Sequence, residues 1–521
     1  MYKINICYLD RTFEHDVYEL IKAFYPEAEY HFFYEPSEET ADLSFEVRRD
    51  PEHYLIRWHT PERSGDRQAP VIGNYQAASE KVPGVGVETC VRQEAQKRQA
   101  VQAEQIPELH ELRKQNKDSL KYALYQLLTE LTGRTLPWGN LTGIRPAKLA
   151  MGMLESGRKN TEIAEELRNL YCVSPQKAAL AITIANRERE ILKNIDYENG
   201  YSLYIGIPFC PSICLYCSFS SYPLKQWQKR VDDYLDALCK EIREVSGLMK
   251  GRKLDTIYIG GGTPTTLEPE QLTRLLKTVE AYFGFDGLEE FTIEAGRPDS
   301  ISREKLLAIK KFPVTRISVN PQTMNQETLD IIGRRHTVEQ TREAFSLARE
   351  CGYTNINMDL IVGLPGEDFS MVSHTLDEIQ KLDPDSLTVH SLAVKRAARL
   401  NIFKDRYQEM TFENNQRIME LTMNCAYAAG MAPYYLYRQK NMKGNFENVG
   451  YAKVDKAGIY NILIMEEKQP IIALGAGGSS KLVFDHGNRI ERVENVKDVT
   501  SYITRIDEMI ERKRAGIAAW L

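Results

Sequence analysis

Long apolar runs and an excess of positive charge are both absent from this sequence of 521 residues. No uninterrupted apolar run approaches the roughly 18 residues that a membrane-spanning helix needs. Asp10 and Arg11 interrupt the start before a signal-like apolar stretch can form. Lys and Arg number 67 against 73 Asp and Glu, which gives no sign of the basic surface typical of nucleic-acid-binding proteins. We therefore expect a cytoplasmic protein with no membrane span and no nucleic-acid partner, and we further expect a monomer.

Cysteine is also sparse, but its placement is not even. The nine cysteines are an odd number, which argues against a full disulfide framework. Three of them, Cys210, Cys214 and Cys217, lie in the segment "IPFCPSICLYCSF" with the spacing C-x3-C-x2-C. A structural zinc site uses four ligands, and a ferredoxin supplies four cysteines to its cubane. Three thiolates therefore predict a [4Fe–4S] cluster with one iron open to another ligand. The other cysteines are interpreted as small core residues.

The hydrophobic pattern divides the chain into four segments. Residues 1–60 mix strand-like runs with one helix and predict a small α+β domain. Residues 61–200 are mostly helical. Residues 201–395 alternate six β-rich runs with helical stretches, and residues 396–521 predict a C-terminal α+β subdomain. Six alternations imply right-handed βαβ units, so we expect an α/β fold with a partial (β/α)6 TIM-like barrel and an N-terminal α+β and helical extension. The active site of such a barrel lies at the carboxyl ends of its strands.

Further polar and glycine-rich segments follow the predicted strands. The glycines of "IGGGTPT" let backbone approach a ligand closely, or they form a tight turn. Glu294, Gln322 and Asp359 stand at strand ends or inside a strand, either as satisfied structural groups or as parts of one shared ligand site. A basic trio after the sixth run is either an anion site or a solvated face: Lys395, Arg396 and Arg399. The segment "ALGAGGSS" lacks the G-x-G-x-x-G spacing and the βαβ context of a nucleotide site.

At this point the motifs resemble a known family. The C-x3-C-x2-C loop is similar to the signature of the radical S-adenosylmethionine superfamily. The segments "YIGIPFC", "YIGGGTPT", "RISVNPQ", "GRRH" and "MDLIVGLPGE" stand in the order seen in oxygen-independent coproporphyrinogen III oxidases. The long N-terminal extension with "PWGNLTGIRP" most resembles the HemZ-type coproporphyrinogen dehydrogenases. The shared core covers roughly residues 200–480, a little over half of the chain.

The resemblance implies roles for individual residues. The three cysteines of the loop hold the cluster, and its open iron takes S-adenosylmethionine. Tyr204, Gly261 and Glu294 match positions that line this first molecule, and we interpret Tyr204 and Glu294 as catalytic. The oxidases bind a second S-adenosylmethionine, and these residues match positions near it: Tyr216, Gly262, Thr263, Gln322, Arg334, Asp359 and Ala393.

The resemblance also implies a reaction, namely oxidative decarboxylation of two propionates of coproporphyrinogen III to vinyl groups, which gives protoporphyrinogen IX. An electron donor such as flavodoxin or ferredoxin is then required, and the basic trio would contact the tetrapyrrole. Phe219 and Gly206 stand where the oxidases carry a cysteine and a histidine. Two alternatives therefore stay open: a haem-binding chaperone that keeps the cluster, and a radical enzyme acting on another tetrapyrrole or on an unrelated molecule.

Overall fold

A computed structural model of the chain describes residues 2–37, 39–73, 92–143, 145–393, 398–402, 410, 414–438, 446–487 and 489–521. The chain divides into two compact units. Unit 1 comprises Met1–Gly143 and Arg158–Ala179, and unit 2 comprises Ile144–Gly157 and Leu180–Leu521. The segment predicted over residues 61–200 contributes to both units, and the division into four segments stays a prediction. Within the described residues, no helix is both long and apolar enough to cross a membrane.

Unit 1 is built on a five-stranded mixed sheet with the order β2-β1-β3-β4-β5. Its strands are β1 (Lys3–Tyr8), β2 (Glu29–Phe33), β3 (Leu43–Arg49), β4 (His53–His59) and β5 (Ser64–Pro70), and its helices are α1 (Glu14–Phe24), α2 (Arg92–Thr132) and α4 (Asn160–Asn169). Helix α1 buries Val17, Leu20, Ile21 and Phe24, whose spacing of three and four residues makes a single apolar face. This face contributes to a core that also contains the apolar residues of the sheet and of α2.

Unit 2 contains an eleven-stranded sheet with the order β14-β15-β13-β12-β11-β10-β9-β6-β16-β17-β18. The strands are β6 (Gly200–Ile207), β9 (Lys253–Gly261), β10 (Glu290–Gly296), β11 (Arg316–Val319), β12 (Ile356–Val362), β13 (Ser386–Ser391), β14 (Ala432–Tyr437), β15 (Asn448–Ala452), β16 (Ile471–Leu474), β17 (Ser479–Phe484) and β18 (Arg489–Glu494). A separate small pair is formed by β7 (Phe209–Cys210) and β8 (Tyr222–Pro223).

The helices of this unit lie between and around those strands. They are α3 (Pro146–Glu155), α5 (Pro175–Ile191, which begins in unit 1), α6 (Leu224–Trp227), α7 (Val231–Leu248), α8 (Pro269–Phe283), α9 (Arg303–Lys310), α10 (Gln326–Ile331), α11 (Val338–Glu350), α12 (Phe369–Leu382), α13 (Arg399–Ile402), α14 (Gln416–Ala428), α15 (Ile459–Glu466), α16 (Val499–Thr504) and α17 (Ile506–Trp520).

The six β-rich runs of the sequence correspond to β6 and β9–β13, which are parallel neighbours separated by helices. The predicted α/β fold is therefore confirmed. Beyond these six strands, β16 extends the parallel sheet beside β6, and antiparallel pairs complete both edges. The strand order gives an open series with β14 and β18 at its ends among the described residues. Closure into a partial barrel stays a prediction.

One face of the six parallel strands is polar. Along β6 and β9, polar or small residues alternate with Leu and Ile, and the register places residues of the same kind opposite each other. The pairs are Ser202 with Thr256, Tyr204 with Tyr258 and Gly206 with Gly260. The same face continues across the sheet through Glu290, Thr292, Glu294, Arg316, Ser318, Asn357, Asp359, Ser386 and Thr388. Because side chains alternate with a period of two, the opposite face is left to Leu, Ile, Val, Phe and Met.

Candidate functional site

The three-cysteine loop is fixed at both ends beside the carboxyl end of β6. Cys210 ends β7 and pairs with Pro223 of β8, so the loop begins and closes in one short pair of strands. Inside the loop, the Leu215 amide donates to the Ile332 carbonyl at 2.9 Å. The Ser212 hydroxyl donates to the Gly333 carbonyl, also at 2.9 Å. The loop is thus held against the segment "GRRH" by its backbone as well as by its side chains.

Each cysteine sulfur faces hydrogen-bond donors. The Thr263 hydroxyl lies 3.6 Å from the Cys210 sulfur, and an Arg334 nitrogen lies 3.9 Å from the Cys214 sulfur. The backbone N–H of Phe219 donates to Cys217. Burial raises the pKa of the Cys210 thiol to about 11, although the Thr263 hydroxyl opposes the shift. Metal ligands bind as thiolates, so donors aimed at sulfur suit a metal-bound form.

The three cysteines of this loop are a ligand set that fits a [4Fe–4S] cluster. No group of three His, Cys, Asp or Glu side chains in the part of the chain that the structure describes converges closely enough to hold one metal ion. A cubane makes a different demand, since each of its cysteines bonds a different iron and the sulfurs must stand apart. Three thiolates on one loop would bond three irons and leave the fourth without a protein thiolate.

The glycine segment after β9 packs directly against this loop. The amides of Gly262 and Thr263 donate to the carbonyls of Ile207 and Phe209, both at 2.7 Å. A Cβ on Gly262 would stand 2.5 Å from the Phe209 carbonyl oxygen. Gly261 has a φ of +108°, which disfavours any residue with a side chain. The tight-turn reading therefore describes this segment, and close approach of its backbone to a ligand stays a prediction.

Glu294 lies next to the same glycines. Its carboxylate accepts a hydrogen bond from the Tyr258 hydroxyl at 2.5 Å and another from the backbone N–H of Gly261. Burial raises the pKa of Glu294 to about 7, the hydrogen bond from Tyr258 lowers it, and nearby Asp359 raises it further. A carboxyl group poised near neutrality in a polar interior is a typical feature of a ligand-binding or catalytic site.

Three tyrosine rings stack beside this carboxylate. The ring centroids of Tyr258 and Tyr460 are 4.5 Å apart, and Tyr204 lies 6.3 Å from each of them, with all three planes within 23° of parallel. A Cβ on Gly261 would lie 3.1 Å from the Tyr204 hydroxyl. The structure thus brings together Tyr204, Gly261 and Glu294, the three residues assigned to the first S-adenosylmethionine.

The residues assigned to the second S-adenosylmethionine form connected pairs around β11 and β12. Gln322 has a φ of +70°, and its amide donates to the Asp359 carbonyl at 3.0 Å. The half-buried Asp359 carboxylate accepts from the Asn357 side-chain amide at 2.7 Å, which supplies a partner for it. Arg334 donates to the Tyr216 hydroxyl at 3.2 Å. The Gln322 side-chain oxygen is buried without a partner among the described residues, as a group awaiting a ligand would be.

The basic trio is described only in part. Lys395 and Arg396 lie outside the described residues, and Ala393, just before them, is partly exposed. Arg399 begins the short helix α13. The next residue, Leu400, donates its amide to the Leu215 carbonyl at 2.9 Å, so that α13 is attached to the cysteine loop. The structure therefore places the exposed Arg399 next in sequence to a contact with the cysteine loop, and its assigned role stays a prediction.

Sequence reasoning missed several groups at this site. Tyr258 could have been noticed, because it alternates with Ile in "TIYIGG" on the face shared with Tyr204. Tyr460 had no such signal, since "IYNILIM" looks like a plain apolar helix. The segment "ALGAGGSS" also reaches this end of the sheet, because a Cβ on Gly475 would stand 2.5 Å from the Gly206 carbonyl oxygen.

Comparison with known proteins agrees with this geometry. The family model described as the radical SAM superfamily matches residues 204–379. The oxygen-independent coproporphyrinogen-III oxidase-like protein HemZ of Bacillus subtilis is 42% identical over 403 residues, which cover 77% of this chain and 80% of that protein. The heme chaperone HemW of the same organism is 33% identical over 59% of this chain and 76% of its own length.

Among solved structures, coproporphyrinogen III oxidase (HemN) from Escherichia coli, described as a radical SAM enzyme, matches with a TM-score of 0.49 and 26% identity over 62% of this chain and 72% of that chain. The extensive HemZ match covers most of both proteins and includes the whole cysteine-loop region. The chain therefore belongs to the radical SAM superfamily and, within it, to the HemZ- and HemN-type coproporphyrinogen oxidase-like family, whose cofactors are a [4Fe–4S] cluster and S-adenosylmethionine.

Proposed function

We propose that this protein is an oxygen-independent coproporphyrinogen dehydrogenase, which decarboxylates two propionates of coproporphyrinogen III to vinyl groups in the cytoplasm. The observation that best supports the proposal is a proximity. The cysteine loop and the group formed by Tyr258, Glu294 and Gly261 lie next to each other at one end of the polar sheet face. Six parallel strands that curve into a partial barrel would enclose this face, and residues 396–521 would cap the substrate. We propose that the protein acts as a monomer.

In this proposal, Cys210, Cys214 and Cys217 hold the cluster, while Tyr204, Gly261 and Glu294 hold the first S-adenosylmethionine. A second molecule would lie near Tyr216, Gly262, Thr263, Gln322, Arg334, Asp359 and Ala393. When bound, the reduced cluster and S-adenosylmethionine supply the one-electron chemistry that removes a hydrogen atom from a propionate side chain. Conversion of that side chain to a vinyl group then releases CO2 and one further electron, for which an acceptor is needed.

The chain's own groups orient these partners and control protons. Glu294 receives donors from Tyr258 and from the Gly261 amide, which fix the direction of its carboxylate. A cationic or hydroxyl-bearing ligand at this carboxylate would favour its ionised form and lower its pKa from about 7. We propose that the stacked tyrosines, of which Tyr460 is buried, help to keep water away from the radical chemistry.

The carboxylates of the substrate require cationic side chains in the site that binds them. Arginine binds carboxylates through a planar fork that makes two parallel hydrogen bonds. Arg399 is attached to the cysteine loop through its neighbour Leu400, and Lys395 and Arg396 precede it in the chain. We assign these three residues to the propionates.

A second candidate function is a haem-binding chaperone. The resemblance to HemW covers more than half of this chain, and Phe219 stands where the oxidases have a cysteine that the chaperones also lack. Both functions use the cluster, so the cluster alone does not decide between them.

One parallel experiment separates the two functions. Anaerobically reconstituted protein is supplied with S-adenosylmethionine, a reductant and coproporphyrinogen III, and loss of carboxylates is followed by mass spectrometry. The same preparation is titrated with haem. Decarboxylation supports the dehydrogenase, whereas tight haem binding with no decarboxylation supports the chaperone and rejects our proposal.

A further inference from the structure

A buried arginine, Arg297, connects the end of β10 to the middle of the cysteine loop. Arg297 directly follows β10, the strand that carries Glu294, and it is 3% exposed. Its Nη1 donates to the carbonyl oxygen of Ser212 at 3.1 Å and to the hydroxyl of the same residue at 2.7 Å. Ser212 lies two positions from Cys210 and two from Cys214. The guanidinium is therefore bound to the loop between two of the cysteines assigned to the cluster.

The other side of this guanidinium binds a carboxylate. Nε of Arg297 donates to one oxygen of Asp299 at 2.9 Å, and Nη2 donates to the other oxygen at 2.7 Å. Burial acts to raise the pKa of Asp299, but the hydrogen bonds and the charge of Arg297 hold it below its usual value. Asp299 is therefore ionised at neutral pH, and arginine is always charged. Because Nη1 faces Ser212 while the fork faces Asp299, the pair presents its positive side to the loop.

A second buried guanidinium acts on the same loop. Arg334 is 4% exposed, lies 3.9 Å from the Cys214 sulfur and donates to the Tyr216 hydroxyl at 3.2 Å. The buried His336 follows in the same segment. Burial lowers the pKa of His336 to about 3, and the charge of Arg334 acts in the same direction, so the imidazole is neutral. Two cationic side chains therefore donate to the cysteine loop, one of them with a carboxylate on its far side.

We propose that Arg297 sets the reduction potential of the cluster by holding a buried positive charge against the cysteine loop. The potential of an iron–sulfur cluster depends on the net charge of its surroundings and on its exposure to solvent. Reduction adds one negative charge to the cluster, and a buried cation interacts with that charge more strongly than a cation in water does. Arg297 therefore favours the reduced cluster. This inference rests on the cluster of the family and not on the proposed substrate.

The test measures the midpoint potential of the reconstituted protein in the absence of S-adenosylmethionine and substrate. Dithionite supplies one electron to each oxidised cluster, with no bond formed or broken, and electron paramagnetic resonance follows the reduced form. Arg297→Gln removes the charge but keeps an amide that can donate to Ser212. Its potential should fall by about 59 mV, which corresponds to a tenfold weaker affinity for the electron in a one-electron couple.

Two further variants separate charge from structure. Asp299→Asn removes the negative charge that offsets the guanidinium, so the potential should rise. Arg297→Lys keeps the positive charge and loses the fork, so its potential should lie closer to that of the wild type than the potential of Arg297→Gln does. A purely structural role would not move the potentials of Arg297→Gln and Asp299→Asn in opposite directions.

Arg342→Gln is the matched control. Arg342 of α11 also binds a carboxylate, that of Glu378 at 2.6 Å, at a position outside the cysteine loop, and its removal should leave the potential unchanged. Potentials of Arg297→Gln and Asp299→Asn that equal the wild-type value, or that shift in the same direction, would overturn the proposal. If Arg297→Gln takes up no cluster, the direction of the shift in Asp299→Asn decides alone. Failure of both variants to take up a cluster would assign the pair to cluster assembly and would likewise overturn the proposal.

The outcome for the potential is separate from the outcome for the substrate. Shifts in the expected directions, combined with no decarboxylation of coproporphyrinogen III by the wild type, would reject the proposed function and leave the role of Arg297 standing. Decarboxylation by the wild type, combined with unshifted potentials in the variants, would reject the role of Arg297 alone.

Discussion

At the scale of single residues, the site combines groups that are recognisable as sequence motifs with groups that only the fold brings close to them. The cysteines and the glycines of "IGGGTPT" form local motifs that are recognisable from spacing, and their assigned roles stay predictions. The Tyr258–Glu294 hydrogen bond joins residues that are 36 positions apart, and it depends on the register of β9 with β10. Sequence spacing carries no information about that register, so the alternation that marks Tyr258 could not show its pairing with Glu294.

Glu294 gives a pH-dependent prediction. Burial raises its pKa from about 4.5 to about 7, so between these values the folded protein holds a proton that the unfolded chain has lost. Stability therefore falls as pH rises through this window. Glu294→Gln cannot titrate, and without cofactors its melting temperature should rise relative to the wild type between about pH 5 and about pH 8. Melting curves are measured across this pH range, with the exposed Glu280→Gln as the matched control. A melting-temperature difference between Glu294→Gln and the wild type that does not change with pH would contradict the account.

Arg399 gives a prediction about substrate binding. If its guanidinium binds a propionate, Arg399→Ala should raise KM for coproporphyrinogen III roughly tenfold with little change in kcat, as expected for loss of a charged hydrogen bond of about 1.5–3 kcal/mol. Anaerobic decarboxylation kinetics measure both constants. Arg303→Ala, which removes an exposed arginine from α9, is the control. Equal KM values for Arg399→Ala and the wild type would remove Arg399 from the substrate site.

At the scale of elements, the alternating strands and helices of unit 2 could be predicted because both periodicities are strong. Strand β5 could not be predicted in this way. Its sequence "SGDRQAP" is polar and contains Gly and Pro, and it falls in the segment predicted to be mostly helical. The strand exists because it pairs with β4 over all seven of its residues. A partner strand, rather than its own propensity, determines this element.

Helices α7 and α17 are joined by two ion pairs that differ in burial. Lys513 lies 2.7 Å from Glu241, and both side chains are almost fully buried. Glu241 also accepts hydrogen bonds from Tyr502 at 2.6 Å and from the Gly475 amide at 2.8 Å. The second pair, Lys240 with Asp507 at 2.5 Å, is exposed. The buried network connects the C-terminal helix to the glycine loop beside β6.

This contrast predicts different costs for two similar substitutions. Lys513→Met leaves a buried carboxylate without its cation and should lower the free energy of unfolding by about 3–5 kcal/mol. Lys240→Met removes an exposed pair and should cost about 1 kcal/mol or less. Denaturant titrations of both variants test the contrast. Comparable losses would show that the buried pair is no more important to stability than the exposed one.

At the scale of the whole molecule, all three cysteines assigned to the cluster belong to unit 2, while unit 1 has a hydrophobic core of its own. A ligand that binds only the native state stabilises the part of the protein that must be folded to bind it. Calorimetry should therefore show two unfolding transitions, and loading of the cluster should raise the temperature of only one of them. Cys214→Ala should abolish this increase. A single transition, or an equal shift of both, would contradict the independence of the two units.

The central claim is that S-adenosylmethionine cleavage and the tetrapyrrole propionate meet in this one site. The most direct test supplies coproporphyrinogen III deuterated on its propionate side chains to the reconstituted protein under anaerobic conditions. The 5′-deoxyadenosine formed from S-adenosylmethionine is then analysed by mass spectrometry. The account predicts that this product carries deuterium from the propionate, and that Cys214→Ala forms none of it. Unlabelled 5′-deoxyadenosine from the wild type, formed while the substrate keeps all its carboxylates, would contradict the account.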